Sequence, residues 1–270
     1  STPKPSSAAS DVYKRQVNRH GESGQLGDWQ ADPVKFPHGL RFLADQAHQS
    51  GIQLGLWLEP EMVTTNSQLY HDHPDWALHY QQRAPITARH QLVLDLSRAV
   101  VRQQLLTTIT NLITTNQLDY LKWDMNRHLT QVGNDVLPPA QQGEVYYRYV
   151  LGLYALLAEL QARFPKLIIE NCSAGGGRLD FGMLAYTHQT WLSDLTDPVD
   201  RAKIENGVSY LFPPNVFSTH VSASPNGQNG RVTSLQTRLN LASIGNLGFE
   251  MALELSLIHI SEPTRPEPSS

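Results

Sequence analysis

A single cysteine, Cys172, stands among the 270 residues. It cannot form an intramolecular disulfide, which excludes a disulfide-stapled scaffold. No apolar run approaches the ~18 residues that a membrane-crossing helix needs, and no charged-then-apolar leader opens the chain. A basic block is missing as well. Twenty-one Lys and Arg against 25 Asp and Glu leave a formal charge of −4, which argues against nucleic acid as the main partner. No G-x-G-x-x-G opens a βα unit, no Lys-Ser/Thr closes a phosphate loop, and no G-x-S-x-G elbow is present. What remains is 40% hydrophobic and 17% charged, enough to bury a sizeable core. The expectation is a cytoplasmic protein, away from membranes, acting on a small molecule or polymer.

The two ends differ in texture from the middle. Residues 1–17 and 256–270 carry Ser, Pro and charge without a packing period, and they resemble translated sequencing-adapter DNA. They are expected to be non-native tails, leaving 18–255 as the folded segment. Within it, short strand-like runs alternate with helical spacing. The runs are Leu54–Leu58, Leu92–Leu96, Tyr120–Trp123, Leu167–Glu170, Gln189–Leu192, Val216–Thr219 and Gly248–Leu253. Helices are expected over His38–Ser50 (ended by Gly51), after Ser97 as an N-cap, within Gln141–Arg163, and over Pro198–Tyr210 and Ser234–Ala242. Strands separated mostly by helices imply parallel pairing. Polar residues at most strand ends favour a (β/α)8 TIM barrel over a doubly wound sheet. Seven runs are one short of eight, so the expected fold is an incomplete barrel lacking its first strand and holding strands 2–8.

Several strand ends carry side chains suited to chemistry. In Tyr120-Leu121-Lys122-Trp123-Asp124-Met125-Asn126-Arg127, the alternation of a strand continuing past Trp123 would put Lys122, Asp124 and Asn126 on one face. The bland alternative is a structural Lys–Asp ion pair. In Trp57-Leu58-Glu59-Pro60-Glu61 an indole at a strand end suits a sugar face; the alternative is a core tryptophan beside two solvated glutamates. Glu170-Asn171-Cys172-Ser173-Ala174-Gly175-Gly176-Gly177-Arg178 permits close backbone approach, and phosphate binding or a Cys172 nucleophile is weakly supported. Asp194 follows Trp191, whereas Asp197 before Pro198 has local employment as a helix cap. His71-Asp72-His73 lacks a third ligand at a fixed spacing, so no metal is expected. His220 and Ser222 are further candidates to line a site. Two aspartates from different strands beside aromatic rings are the minimum apparatus for cleaving a glycosidic bond.

On these motifs the sequence resembles the bacterial α-galactosidases, or melibiases, of glycoside hydrolase family 36. The matching stretches are LGDW (26–29), GLWLEPEMV (55–63), HPDWALH (73–79), RHQLVLDLSR (89–98), YLKWDMNR (120–127), ENCSAGGGRLDFGML (170–184), TWLSDLTD (190–197) and STHVSASPN (218–226). The resemblance implies retaining hydrolysis of terminal α-D-galactose from raffinose- and melibiose-type sugars, with Asp124 as nucleophile and Asp194 as general acid/base. It also implies that Trp57, Arg89, Lys122, Asn126, Cys172, Gly175 and Trp191 contact substrate, and that the parent protein is a homo-oligomer, a tetramer by family likeness. No cofactor is called for. A retaining pair needs its carboxyl groups about 5–5.5 Å apart. One departure matters: the Asp-Asp-Gly-Trp run of the family's first strand is not in residues 1–17, so weak or no activity is expected of this polypeptide. The competing readings are a Schiff-base aldolase using Lys122 and a catalytically dead carbohydrate-binding barrel.

Overall fold

Gly51 ends the first helix, as the spacing leads one to expect. Gly39–Gln49 (α1) is followed by Ser50 as C-cap and then by Gly51 at a φ of 70°. There the Gly51 N–H donates to the His48 carbonyl at 3.0 Å and the Ile52 N–H to Ala47 at 2.8 Å. This double closure satisfies carbonyls that the helix leaves orphaned, and it uses the left-handed conformation that glycine adopts without a Cβ penalty. The structure is a computed structural model that describes residues 26–80 and 83–251. The expected tails, 1–17 and 256–270, lie outside the described residues.

The chain divides after Asp194 into two units. In the first, α1 is followed by β1 (Gly55–Leu58), β2 (Met62–Thr64), α2 (Gln68–Asp72) and β3 (Gln91–Val93). Next come α3 (Ala99–Asn116), β4 (Tyr120–Trp123), α4 (Val145–Arg163), β5 (Ile168–Asn171), the single-turn α5 (Phe181–Leu184) and β6 (Gln189–Trp191). Strands β1, β4, β5 and β6 pair side by side, all parallel. Their register aligns Trp57, Lys122, Glu170 and Gln189 in one row.

Alternation along β4 separates structure from chemistry. Leu121 and Trp123 are fully buried, while Tyr120 and Lys122 on the opposite face are half-buried. The buried face meets the core formed with α3 and α4. On α3, Val101, Leu105, Ile109 and Ile113 recur every four residues and are all buried, each contributing about 1.5–3 kcal/mol of apolar burial. Gly152 of α4 lies where this packing is closest: a Cβ there would stand 2.0 Å from the Leu96 carbonyl oxygen. Gly152→Ala gains about 1 kcal/mol of helix propensity but forces α4 off rigid backbone, an overpacking cost of about 1–3 kcal/mol or more. The clash wins, and a fall in thermal midpoint is the expected result of a melting scan on this variant.

Two expectations are corrected. The run 92–96 is not a parallel stave: β3 pairs antiparallel with β2, Met62 opposite Val93. Its continuation is also satisfied locally, Leu94 N–H by the Glu61 carbonyl at 2.8 Å and Asp95 N–H by Trp76 at 2.7 Å. A short buried apolar run carries no information about strand direction. Four parallel strands therefore stand in the first unit and two in the second, among the described residues, rather than seven. Ser97 does not cap α3. The N-cap is Arg98, without a side-chain bond, because the Ser97 hydroxyl is taken by Asp95 Oδ1 at 2.5 Å.

In the second unit α6 (Pro198–Ser209), β7 (Phe217–Ser222), α7 (Leu235–Ala242) and β8 (Asn246–Glu250) follow, with β7 and β8 parallel. Asp197 is the expected cap of α6, accepting from Val199 N at 2.9 Å and Asp200 N at 3.1 Å. Ser234 caps α7 through Thr237 N. Strand β8 starts two residues before its predicted run, and positions 252 and 253 of that run lie outside the described residues. Among the described residues no helix is long and apolar enough to cross a membrane.

Candidate active site

The end of β4 delivers Asp124 into a ring of donors. Its Oδ2 accepts from Trp57 Nε1 at 2.9 Å and from Asn126 Nδ2 at 2.7 Å, and its Oδ1 accepts from the Met125 N–H at 2.8 Å. β1 places Trp57 opposite Lys122, and just past the end of β4 the Asp124 N–H is held by the Leu58 carbonyl at 2.8 Å, which brings its carboxylate to the Trp57 indole. Trp57 is 4% exposed, with the Trp29 ring edge-on at 6.4 Å. Its role in the fold is therefore to orient a carboxylate through N–H, rather than to offer an open stacking face.

Lys122 is tied across the row. Its Nζ stands 2.9 Å from Glu170 Oε1, and Glu170 also accepts from the Tyr120 hydroxyl and from Gln189 Nε2. The structural ion pair of Lys122 is thus with Glu170 on β5. Burial works against the ammonium charge, but the neighbouring Glu170 and Asp124 carboxylates outweigh it and hold Lys122 above its ordinary value. A lysine kept charged lacks the free amine that a Schiff base requires, which counts against the aldolase reading. The same ammonium lies 4.6 Å from the centre of the Trp191 ring, within cation–π range.

Trp191 leads to Asp194. The Trp191 Nε1 donates to Asp194 Oδ1 at 3.0 Å, and Asp194 is exposed. What lets this segment lie beside the β5 loop is glycine. A Cβ on Gly175, at a φ of 90°, would fall 2.8 Å from Ser193 Cα, and one on Gly176 would fall 2.7 Å from the Leu192 carbonyl oxygen. The triple glycine is thus used for contact of backbone on backbone. Cys172 is buried at the start of that loop; burial first, then the Asp124 charge, push its thiol well up. A thiol held protonated is neither a nucleophile nor readily alkylated. Labelling of Cys172 by iodoacetamide at pH 8 should be slower than that of a free cysteine by about two orders of magnitude or more, as read by mass spectrometry, and should accelerate on unfolding.

Lys122, Asp124, Asn126, Cys172, Gly175, Trp57, Trp191 and Asp194 are therefore linked by contacts within one unit. Arg89 stands apart. It is exposed at a φ of 53° in the turn before β3, and among the described residues it makes no hydrogen bond or ion pair with the others.

Three buried acids escaped the sequence reading. Glu59, solvated under the bland alternative, is fully buried, accepting from Gln91 Nε2 at 3.2 Å and from the Asn126 N–H at 2.7 Å. Glu61 is also fully buried, accepting from Trp123 Nε1 at 2.8 Å, Arg178 Nη1 at 3.0 Å and the Tyr149 hydroxyl. Asp95 binds Asn134 Nδ2 at 2.7 Å. Burial opposes the Arg178 charge, yet Glu61 holds it above the ordinary value. Period-two parity from Trp57 was the one available signal for Glu59 and Glu61.

Other motifs are structural. Asp28 of LGDW accepts from the Gln68 and Leu69 N–H groups at 2.9 Å each, capping α2, and His73 stacks on Trp76 at 3.9 Å. Among the described residues no three His, Cys, Asp or Glu side chains are placed to hold a metal ion.

Known proteins share this chain's sequence and folding pattern. Alpha-galactosidase 2 of Pediococcus pentosaceus is 71% identical over 235 residues, covering 87% of this chain and 33% of that protein. The crystal structure of the GH36 alpha-galactosidase AgaA from Geobacillus stearothermophilus superposes with a TM-score of 0.86 at 48% identity, over 88% of this chain and 33% of AgaA. A variant of AgaA in complex with raffinose gives a TM-score of 0.84 at 49% identity, over 86% of this chain and 32% of its own. The chain spans about a third of the length of these relatives. The sequence profile described as Melibiase matches residues 15–260, taking in every residue placed around Asp124 and Asp194; by that match and those identities the chain belongs to the melibiase family.

Proposed function

We propose that this chain is part of the catalytic barrel of a retaining α-galactosidase, with Asp124 as nucleophile and Asp194 as general acid/base. The observation that carries the proposal is the contrast between the two carboxylates. Asp124 is buried and fixed by Trp57, Asn126 and its own neighbour's N–H, which suits an attacking group whose direction must be set. Asp194 is exposed, accepting from the Trp191 indole N–H, which suits a group that exchanges protons with water.

In the first step Asp124 attacks the anomeric carbon while Asp194 gives its proton to the departing glycosidic oxygen. In the second, Asp194 takes a proton from water, and the resulting hydroxide equivalent releases galactose from Asp124. Lys122 places a fixed positive charge beside the reacting carboxylate, and its pairing with Glu170 keeps that charge from being wholly uncompensated in a buried setting. The relatives named above are α-galactosidases, and related enzymes have been solved with raffinose and with stachyose. Terminal α-galactosyl oligosaccharides are accordingly the proposed substrates. The polypeptide as given is proposed to turn over slowly, because it contains no Asp-Asp-Gly-Trp run. The parent is proposed to be cytoplasmic and oligomeric.

Stereochemistry tests the reaction class. Proton NMR of galactose freshly released from a synthetic aryl α-galactoside should show the α anomer first. Appearance of the β anomer first would mean single displacement and would remove Asp124 as nucleophile.

A further inference from the structure

Strand β1 gives its last ladder bond to Asp124, whose N–H donates to the Leu58 carbonyl at 2.8 Å. Had the two strands gone on pairing, the Asn126 N–H would next meet the carbonyl of Pro60, since parallel ladders use every second N–H. The chain leaves the sheet first. The Glu59 carbonyl accepts from the Met62 N–H at 3.1 Å, closing a turn over Pro60 and Glu61. A side chain then supplies the acceptor. Glu59 Oε1 takes the Asn126 N–H at 2.7 Å, a length typical of a bond to a charged oxygen.

The bonds run in series from there. Glu59 holds the backbone of Asn126, the Asn126 amide donates to Asp124 Oδ2 at 2.7 Å, and that same oxygen accepts from Trp57 Nε1 at 2.9 Å. Asn126 lies past the end of β4, so its amide is only as fixed as the backbone that carries it. The Glu59 carboxylate is itself braced, because its Oε2 accepts at 3.2 Å from Gln91 at the start of β3. Glu59 is 0% exposed. No substrate atom reaches it, and any part it plays in the reaction passes through its neighbours.

We propose, resting on the hydrolase reading of Asp124, that Glu59 is a positioning residue: through Asn126 it sets the direction from which the Asp124 oxygen attacks. Rates of such attacks are steep in alignment, and a displacement of about 1 Å costs about a hundredfold. Without the Glu59 bond, Asn126 can withdraw and Asp124 can turn about its bonds to Trp57 and the Met125 N–H.

Two substitutions test this. Glu59→Leu removes the acceptor and keeps most of the volume. Glu59→Gln keeps an oxygen for the Asn126 N–H, and Gln91 can turn its own Oε1, buried without a hydrogen bond among the described residues, toward the new amide. Each is made in this chain, or in a longer chain containing it, and incubated with a saturating activated fluorinated α-galactoside. Growth of the adduct on Asp124 is followed in time by mass spectrometry. Its amplitude counts folded sites, whereas its rate constant reports alignment. Glu59→Leu should lower the rate constant about 10- to 100-fold, and Glu59→Gln should restore it to within about threefold of the unsubstituted chain. A merely structural role would lower the amplitude and the melting temperature and leave the rate constant as it was; that result overturns the proposal, as does a Glu59→Gln chain as slow as Glu59→Leu. If Glu59→Leu does not fold, Glu59→Asp decides. It keeps the charge but draws it back from the Asn126 N–H, so its rate constant should fall about tenfold, and an unchanged value overturns the proposal. Absence of any Asp124 adduct in the unsubstituted chain would overturn the hydrolase reading and this inference together. A normal adduct there, with an equal rate constant in Glu59→Leu, overturns this inference alone.

Discussion

Asp124→Asn is expected to lower turnover of an aryl α-galactoside by about four orders of magnitude or more. The comparison is made in this chain, or in any longer chain containing it, under conditions where the parent shows measurable rates. The amide keeps the size of the side chain and can still accept from Trp57 Nε1 at its oxygen, so the fold should persist while the attacking oxygen is lost. Asp194→Ala should behave differently. Its loss should be severe for a sugar leaving group, which needs a proton, and far milder for a nitrophenolate, which does not. Steady-state kinetics with the two leaving groups on both variants separates the roles. Equal losses for both substrates in Asp194→Ala would contradict the assignment.

Glu61→Ala is expected to destabilise the fold by about 3–5 kcal/mol. Glu61 is fully buried and collects Trp123 from β4, Tyr149 from α4 and Arg178 from the glycine loop. Burial first, then the Glu61 charge, push the Tyr149 hydroxyl well above its ordinary value, so it remains a donor to that carboxylate. Removing the acceptor leaves a buried guanidinium and two other donors without their partner, which costs more than the pair itself contributes. Since whole domains are stable by only about 5–15 kcal/mol, urea titration should show a large drop in midpoint. Replacing both Glu61 and Arg178 by Met should recover much of it, because neither buried charge then remains. A loss under about 1 kcal/mol in Glu61→Ala would show that the cluster is not a support of the site.

Local rules were legible where the partner was local. Gly51 as the end of α1, Asp197 before Pro198, and Ser234 before α7 all act within a few residues, and each does what its neighbours imply. The grouping of Asp124 with Asn126 was legible for the same reason, the two lying two positions apart and joined by their side chains. Legibility failed where a side chain's partner lay far along the chain. The direction of the run at 92–96 depends on Met62–Thr64 rather than on its own composition; Ser97 is the local exception, its hydroxyl taken by Asp95 just before it in the chain. Glu61 pairs with Arg178, separated by 117 positions. Glu170 answers Lys122 only because two parallel strands place them in register. Beyond period-two parity with Trp57, nothing local distinguishes buried Glu61 from a solvated glutamate.

The central claim concerns one oxygen forming one bond, and a single turnover suffices to examine it. The chain is incubated with an activated fluorinated α-galactoside, digested, and the peptides are sequenced by tandem mass spectrometry. The account predicts a galactosyl adduct on the peptide containing Tyr120–Arg127, localised to Asp124 and absent from Asp124→Asn. An adduct on Asp194 or Lys122 instead, or release of sugar without any covalent intermediate, would contradict it.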